Sequence, residues 1–179
     1  ATARGWPAGI TGIGTTEGAS TSRTGGSHGG RGTYYSGNLA ETYGSLYAPI
    51  LPGGGGGDAA VGGGVIHLQA AGSITIDGTV VSNGGGASGR AGAGGSIWIE
   101  TGILQGSGTV HALGANSSAC CGNHSGPGGG GRVAIYADEL GGAFTRPGIV
   151  DAVSARGGSG WSTKGGAGTI YLKTPEQTF

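Results

Sequence analysis

The chain has no methionine, only two cysteines, few charges and no long apolar run, and each shortage removes a class of protein. No apolar stretch approaches the roughly 20 residues that a membrane-spanning helix needs, and no basic segment followed by a short apolar one opens the sequence. The chain is expected to be soluble as given, with no membrane insertion. With no methionine and a start at Ala1, it reads as a cleaved secreted chain or a piece of a longer one. Nine basic and nine acidic residues cancel, and neither sign gathers into a run. The electrostatic footprint of a nucleic-acid binder is therefore missing. No Gly-x-Gly combination is followed by the lysine and Ser/Thr of a phosphate-binding loop, so no nucleotide cofactor is expected.

What the chain has in abundance is glycine, 48 of 179 residues. The glycines do not fall at every third position, which excludes a collagen-like triple helix. Disorder is excluded by the apolar residues, which cluster in short β-branched phrases such as "SITIDGTVV", "SIWIET" and "RVAIYA". The reading is an ordered all-β protein.

A glycine cluster followed by an alternating strand occurs four times, as "GGGVIHLQA", "AGGSIWIET", "GGGRVAIYA" and "GAGTIYLKT". Aligned on Ile66/Leu68, Ile97/Ile99, Val133/Ile135 and Ile170/Leu172, the phrases recur at intervals of roughly 31–37 residues. A second strand follows in each complete unit, placing Val80, Val110 and Val153 in equivalent positions. The expected fold is a glycine-rich β-solenoid or β-helix-like stack of strand-turn-strand units. A β-sandwich carrying a polyglycine-II-like layer is the alternative, because the runs "PGGGGGD" and "GPGGGGR" are too long for tight turns and can pack closely as extended chain. Residues 1–24 read as an N-terminal arm suited to assembly, and 25–179 as one repeat domain.

Period-two alternation sends the aligned Ile, Leu and Val residues into the core. The opposite face carries His67, Trp98, Ala134 and Tyr171 in one column and Gln69, Glu100, Tyr136 and Lys173 beside it. Rings in this column can cover a second layer of glycine-rich chain, or can form an aromatic contact face of Trp98, Tyr136 and Tyr171 for sugars or a neighbouring subunit.

The phrases "GGSHGGRG", "YGSLYAPILPGGGGG", "GGGVIHLQAAGSITIDGTVVSNGGG" and "GGSIWIETGILQGSGTVHALGAN" resemble glycine-rich repeat regions of large secreted or cell-surface proteins of plants, algae, protists and bacteria. The resemblance implies an extracellular, wall-associated or adhesin-like setting, and it carries over no catalytic residue.

Few side chains are candidates for chemistry. The adjacent Cys120 and Cys121 allow a vicinal disulfide, links to other chains or two free thiols; a vicinal bridge needs a distorted peptide, because consecutive Cα atoms lie about 3.8 Å apart. Their spacing to His111 and His124 matches no zinc template, so no metal is expected. Asn116 ("NSS") and Asn123 ("NHS") are N-glycosylation acceptors in a eukaryotic secreted protein. His28 and Arg31 read as side chains that tie down neighbouring carbonyls rather than as an anion or metal site. Asp77, Glu100, Asp138, Glu139 and Asp151 fall at different phases of the repeat, so no lyase or hydrolase pair is expected. The sequence thus points to a non-catalytic extracellular structural protein that associates with itself end to end, without cofactor, with glycans as bound or covalent partners. A carbohydrate-binding or adhesin module is the alternative.

Overall fold

The computed structural model describes residues 20–33, 37–57, 60–118 and 125–175. Their regular structure is mostly strand, in two parallel sheets. The larger sheet holds β1 (Val65–Thr75), β5 (Ser96–Gln105), β7 (Arg132–Leu140) and β9 (Thr169–Lys173), side by side in that order. The smaller holds β2 (Thr79–Val81), β6 (Thr109–His111) and β8 (Val153–Ser154). Between them in sequence, β3 (Gly86–Ala87) and β4 (Arg90–Ala91) form a short antiparallel pair.

Register follows the sequence repeat. Ile66 pairs with Ile97, Ile97 with Val133 and Val133 with Ile170, while Leu68, Ile99, Ile135 and Leu172 form the next row. Val80, Val110 and Val153 align in the smaller sheet. A one-residue slip would turn each apolar row outward, so the alternating pattern locks the register. The two rows meet in one core, in which Ile97, Ile99, Leu104, Val110, Val133, Ile135 and Phe144 are fully buried. Each of the larger side chains contributes about 1.5–3 kcal/mol by leaving water.

Two features depart from the simple repeat. The third unit does not pass directly from strand to strand: a 3₁₀ turn at Gly142–Phe144 and the single-turn helix α1 (Ile149–Ala152) intervene, and Phe144 and Ile149 fill the core from this detour. Ile170, expected inside, is 47% exposed, while its neighbour in the row, Val133, is fully buried. The cause is position: β9 is the last strand of its sheet, and no described strand lies on its far side.

The glycine segments build a second, different layer. In the segment leading into β5, Gly92 N–H donates to Gly85, Ala93 to Gly54, Gly94 to Gly129, and Gly95 to Ser82, back on the segment that Gly92 engages. The segment leading into β7 repeats this: Gly128 donates to Ala115, Gly129 to Gly26, Gly130 to Gly166, and Gly131 to Ala112 on the first neighbour again. Donors that rotate through three neighbours and return on the fourth residue have the threefold period of a polyproline II helix, not the two-sided pattern of a β-strand. Each such segment is bonded to others all around it, in a lattice rather than a sheet.

At many of its glycines the lattice has no room for a side chain. A Cβ on Gly94 would sit 2.2 Å from the Ala112 carbonyl oxygen, and one on Gly130 would sit 1.9 Å from that of Ala155. Gly78, at the turn before β2, differs: a Cβ there meets nothing within 4 Å. Gly130→Ala is therefore expected to lower unfolding stability by about 3 kcal/mol or more, and Gly78→Ala to change it by less than about 0.5 kcal/mol. Urea unfolding of both variants checks the contrast; equal effects would mean that the close approach is not what glycine provides.

Candidate functional site

The polar face of the larger sheet carries His67, Trp98, Glu100, Arg132, Tyr136, Tyr171 and Lys173. Across it runs a strap, residues 43–51, followed by Pro52. The strap is held by side chains from below: Ser96 Oγ donates to Leu51 O at 2.6 Å, Arg132 Nε to Tyr43 O at 2.8 Å, and Tyr136 Oη to Tyr47 O at 3.0 Å. Tyr43 Oη donates to Pro52 O at 2.6 Å, closing the strap on itself. Ser45 Oγ accepts from the N–H groups of Tyr47 and Ala48, a serine turn that sets the bend.

The three predicted aromatic residues are on this face but do not share one plane. Trp98 stacks on His67 at 4.3 Å between centroids and 12° between planes. Tyr136 and Tyr171 are tilted by 53° at 5.5 Å, and Tyr47 of the strap stands edge-on to Tyr171 at 4.9 Å. Lys173 Nζ lies 5.9 Å from the Tyr136 ring centroid. Burial, then the neighbouring Tyr171, Glu100 and Tyr47, raises the Tyr136 hydroxyl above its ordinary pKa. The rings at the β7 and β9 end thus pack against chain, while the His67 imidazole at the β1 end is exposed and bonds Glu100 Oε2 at 2.8 Å.

Arg132 and His28 join the sheet to the lattice. Arg132 is buried, and its Nη1 donates to Thr169 Oγ1 at 3.2 Å; burial lowers its pKa. His28 is fully buried, with Nδ1 at 2.9 Å from Gly94 O. A carbonyl only accepts, so Nδ1 carries the proton. The ring lies 4.9 Å from that of Tyr43, and Nε2 has no hydrogen-bond partner among the described residues. Desolvation lowers the pKa to about 4, with the Arg132 charge acting the same way and the bonds to Gly94 and Gly95 opposing it. His28 therefore ties down a carbonyl, as its sequence setting suggests, although the carbonyl lies far along the chain. Arg31 instead pairs with Glu41 on the surface.

The acidic residues are dispersed. Asp77 Oδ1 accepts from Ser107 N–H at 3.0 Å as a turn device, and Glu100 is engaged by His67. Asp138 and Glu139, with Arg146, line a cavity of about 360 Å³, but as neighbours on β7 their carboxylates leave opposite faces of the strand. Among the described residues no three His, Cys, Asp or Glu side chains are grouped to hold a metal, and no helix is long and apolar enough to cross a membrane. Cys120, Cys121 and Asn123, with His124 and residues 1–19 of the arm, lie outside the described residues; Ser20 and Thr24 are buried. Asn116 is described and exposed. No protein-family model, curated protein or solved structure matches the chain.

The buried imidazole makes stability depend on pH. Between the ordinary value of 6.5 and about 4, the unfolded chain binds a proton that the folded chain refuses. The His28 contribution is complete above pH 6.5, is lost as the pH falls, and levels off below 4, a total of about 3 kcal/mol. Urea unfolding between pH 7.5 and 4 should show a smaller loss in His28→Asn, whose amide can still donate to Gly94 O; parallel curves for the two proteins would refute the assignment.

Proposed function

We propose that the protein is a non-catalytic extracellular structural protein, a β-solenoid subunit that stacks head to tail into a fibril or surface appendage. One observation carries this reading: among the described residues, no strand lies beyond β1 or β9, and the two outer edges match. Thr169 N–H of β9 donates inward to Gly131 O, so by alternation Ile170 and Leu172 direct their N–H groups away from β7. At the other side Ser96 N–H donates to Gly64 O, so Val65, His67 and Gln69 of β1 direct theirs away from β5. Seating β1 of a second copy beside β9 continues the same parallel register, with Ile66 beside Ile170, Leu68 beside Leu172 and His67 beside Tyr171.

Such a contact is heterologous, and a heterologous contact that does not close into a ring propagates as a filament. It also removes an exposed parallel edge, which native proteins rarely leave bare. The lattice supports the same direction of growth, since Gly166 and Ala167 before β9 are exposed while Gly129 and Gly130 before β7 are buried. The strap over the aromatic face favours a packing role for Tyr136 and Tyr171 over a flat sugar platform. The resemblance to glycine-rich repeat regions of cell-surface proteins supports the extracellular setting.

Four strands per subunit, each about 4.8 Å from the next, set an axial repeat of about 19 Å. Electron microscopy of the native material should show filaments with this repeat. Ile170→Pro removes an outward donor and leaves the Thr169 and Tyr171 donors to β7 intact, so the variant should fold, as judged by circular dichroism, and sediment as a monomer. Wild-type protein that is monodisperse at every concentration, or filaments unchanged in a folded Ile170→Pro, would overturn the proposal.

A further inference from the structure

A cavity of about 610 Å³ lies where the smaller sheet meets the glycine lattice, and neither edge strand of the larger sheet nor the strap lines it. Its polar lining comes from successive units: Asn83 from the first, His111 and Asn116 from the second, and Ser154, Arg156 and Ser159 from the third. Its size is that of a small-molecule site, while its surface is one of amide, imidazole, guanidinium and hydroxyl groups. That mixture of donors and acceptors suits a ligand covered in hydroxyls better than an apolar one.

Two asparagines in this groove have the same structural task. Asn83 Oδ1 accepts from Leu113 N–H at 2.8 Å, and Asn116 Oδ1 accepts from Ser159 N–H at 2.7 Å. Each supplies a rung between one unit and the next. Because the backbone partner is a donor, the amide oxygen must face it, and the orientation of both amides is fixed. The Nδ2 group of Asn116 is then left turned away from that bond, on an exposed residue at the rim of the groove. The two asparagines differ in their C-terminal neighbours. Asn83 precedes Gly84-Gly85, whereas Asn116 precedes Ser117-Ser118, with Ser118 exposed. The rung alone requires no serine two residues on; an N-glycosylation acceptor does.

We infer that Asn116 carries an N-linked glycan whose first sugars lie in this groove, against Asn83, His111 and Arg156. In the attachment step the amide nitrogen bonds to the anomeric carbon of an activated glycosyl diphosphate. The bond from that carbon to the diphosphate oxygen breaks, the diphosphate departs with its electron pair, and one amide proton passes to a base of the transferase. Oδ1 takes no part, so the rung to Ser159 survives modification. Seated sugars find donors in the Arg156 guanidinium and the Asn83 amide and either role in His111. The inference rests on the extracellular part of the proposed function, and not on polymerisation.

The test is glycopeptide mass spectrometry of the native protein, followed by timed enzymatic release of the glycan. The Asn116 peptide should carry sugar mass and yield Asp at that position on release, and Ser118→Ala should abolish the modification while leaving the fold intact. Arg156→Ala and His111→Ala should keep the glycan but speed its release several-fold, because the sugars lose the groove that shields them. A bare Asn116 peptide in native material overturns the inference. A modified Asn116 with release rates unchanged in both groove variants overturns the seating. Glycan-free filaments would refute this inference alone, and glycosylated monomers would refute the filament alone.

Discussion

Everything in this structure depends on how closely its backbones approach one another. Carbonyl oxygens lie where the Cβ atoms of a normal chain would be, at Gly26, Gly94, Gly128 and Gly130 among others. This spacing lets hydrogen bonds run in three directions from each segment, which a sheet cannot do. The cost is conformational: a glycine-rich chain loses more freedom on folding than any other. What offsets it is the network of backbone hydrogen bonds between the segments, together with one conventional apolar core between the two sheets. The two layers are mutually dependent, because each strand of the larger sheet continues directly from a lattice segment.

The few large polar side chains in the interior act as pins between the layers. His28 reaches from one lattice segment to the carbonyl of another, and Arg132 links the sheet, the strap and β9 through neutral oxygens. Their burial is a consequence of the lattice, in which small residues all around leave space for only an occasional long one.

Much of the sheet was legible in the sequence. The Ile66, Ile97, Val133 and Ile170 row, and the Val80, Val110 and Val153 row, follow from alternation and a repeat, and both appear as paired neighbours. The lattice was legible as glycine runs able to pack as extended, polyglycine-II-like chain, but not in its partners. Its threefold period is carried by backbone donors, and glycine writes no side-chain pattern from which a partner could be read. Phe144 escaped notice because it sits in a unit whose turn is longer than its counterparts, where no alternation frames it. The strap was hidden for a related reason: "YGSLYAPIL" has no period, and its bonds are made by residues far away in sequence. Asn116 was visible as an acceptor motif, but its pairing with Asn83 across one groove required the register of the units.

The threefold rotation of donors also bears on how the molecule resists force and enzymes. A sheet can shear along the plane between its strands, or unzip from an edge one rung at a time. A lattice bonded on all sides has no such plane, so a pull on any segment is shared among neighbours in several directions. A protease must draw an extended stretch of backbone into its cleft, and the stretches before β5 and β7 are held by neighbours on several sides. The cohesion of the lattice is thus a property of its main chain, reached by leaving side chains out.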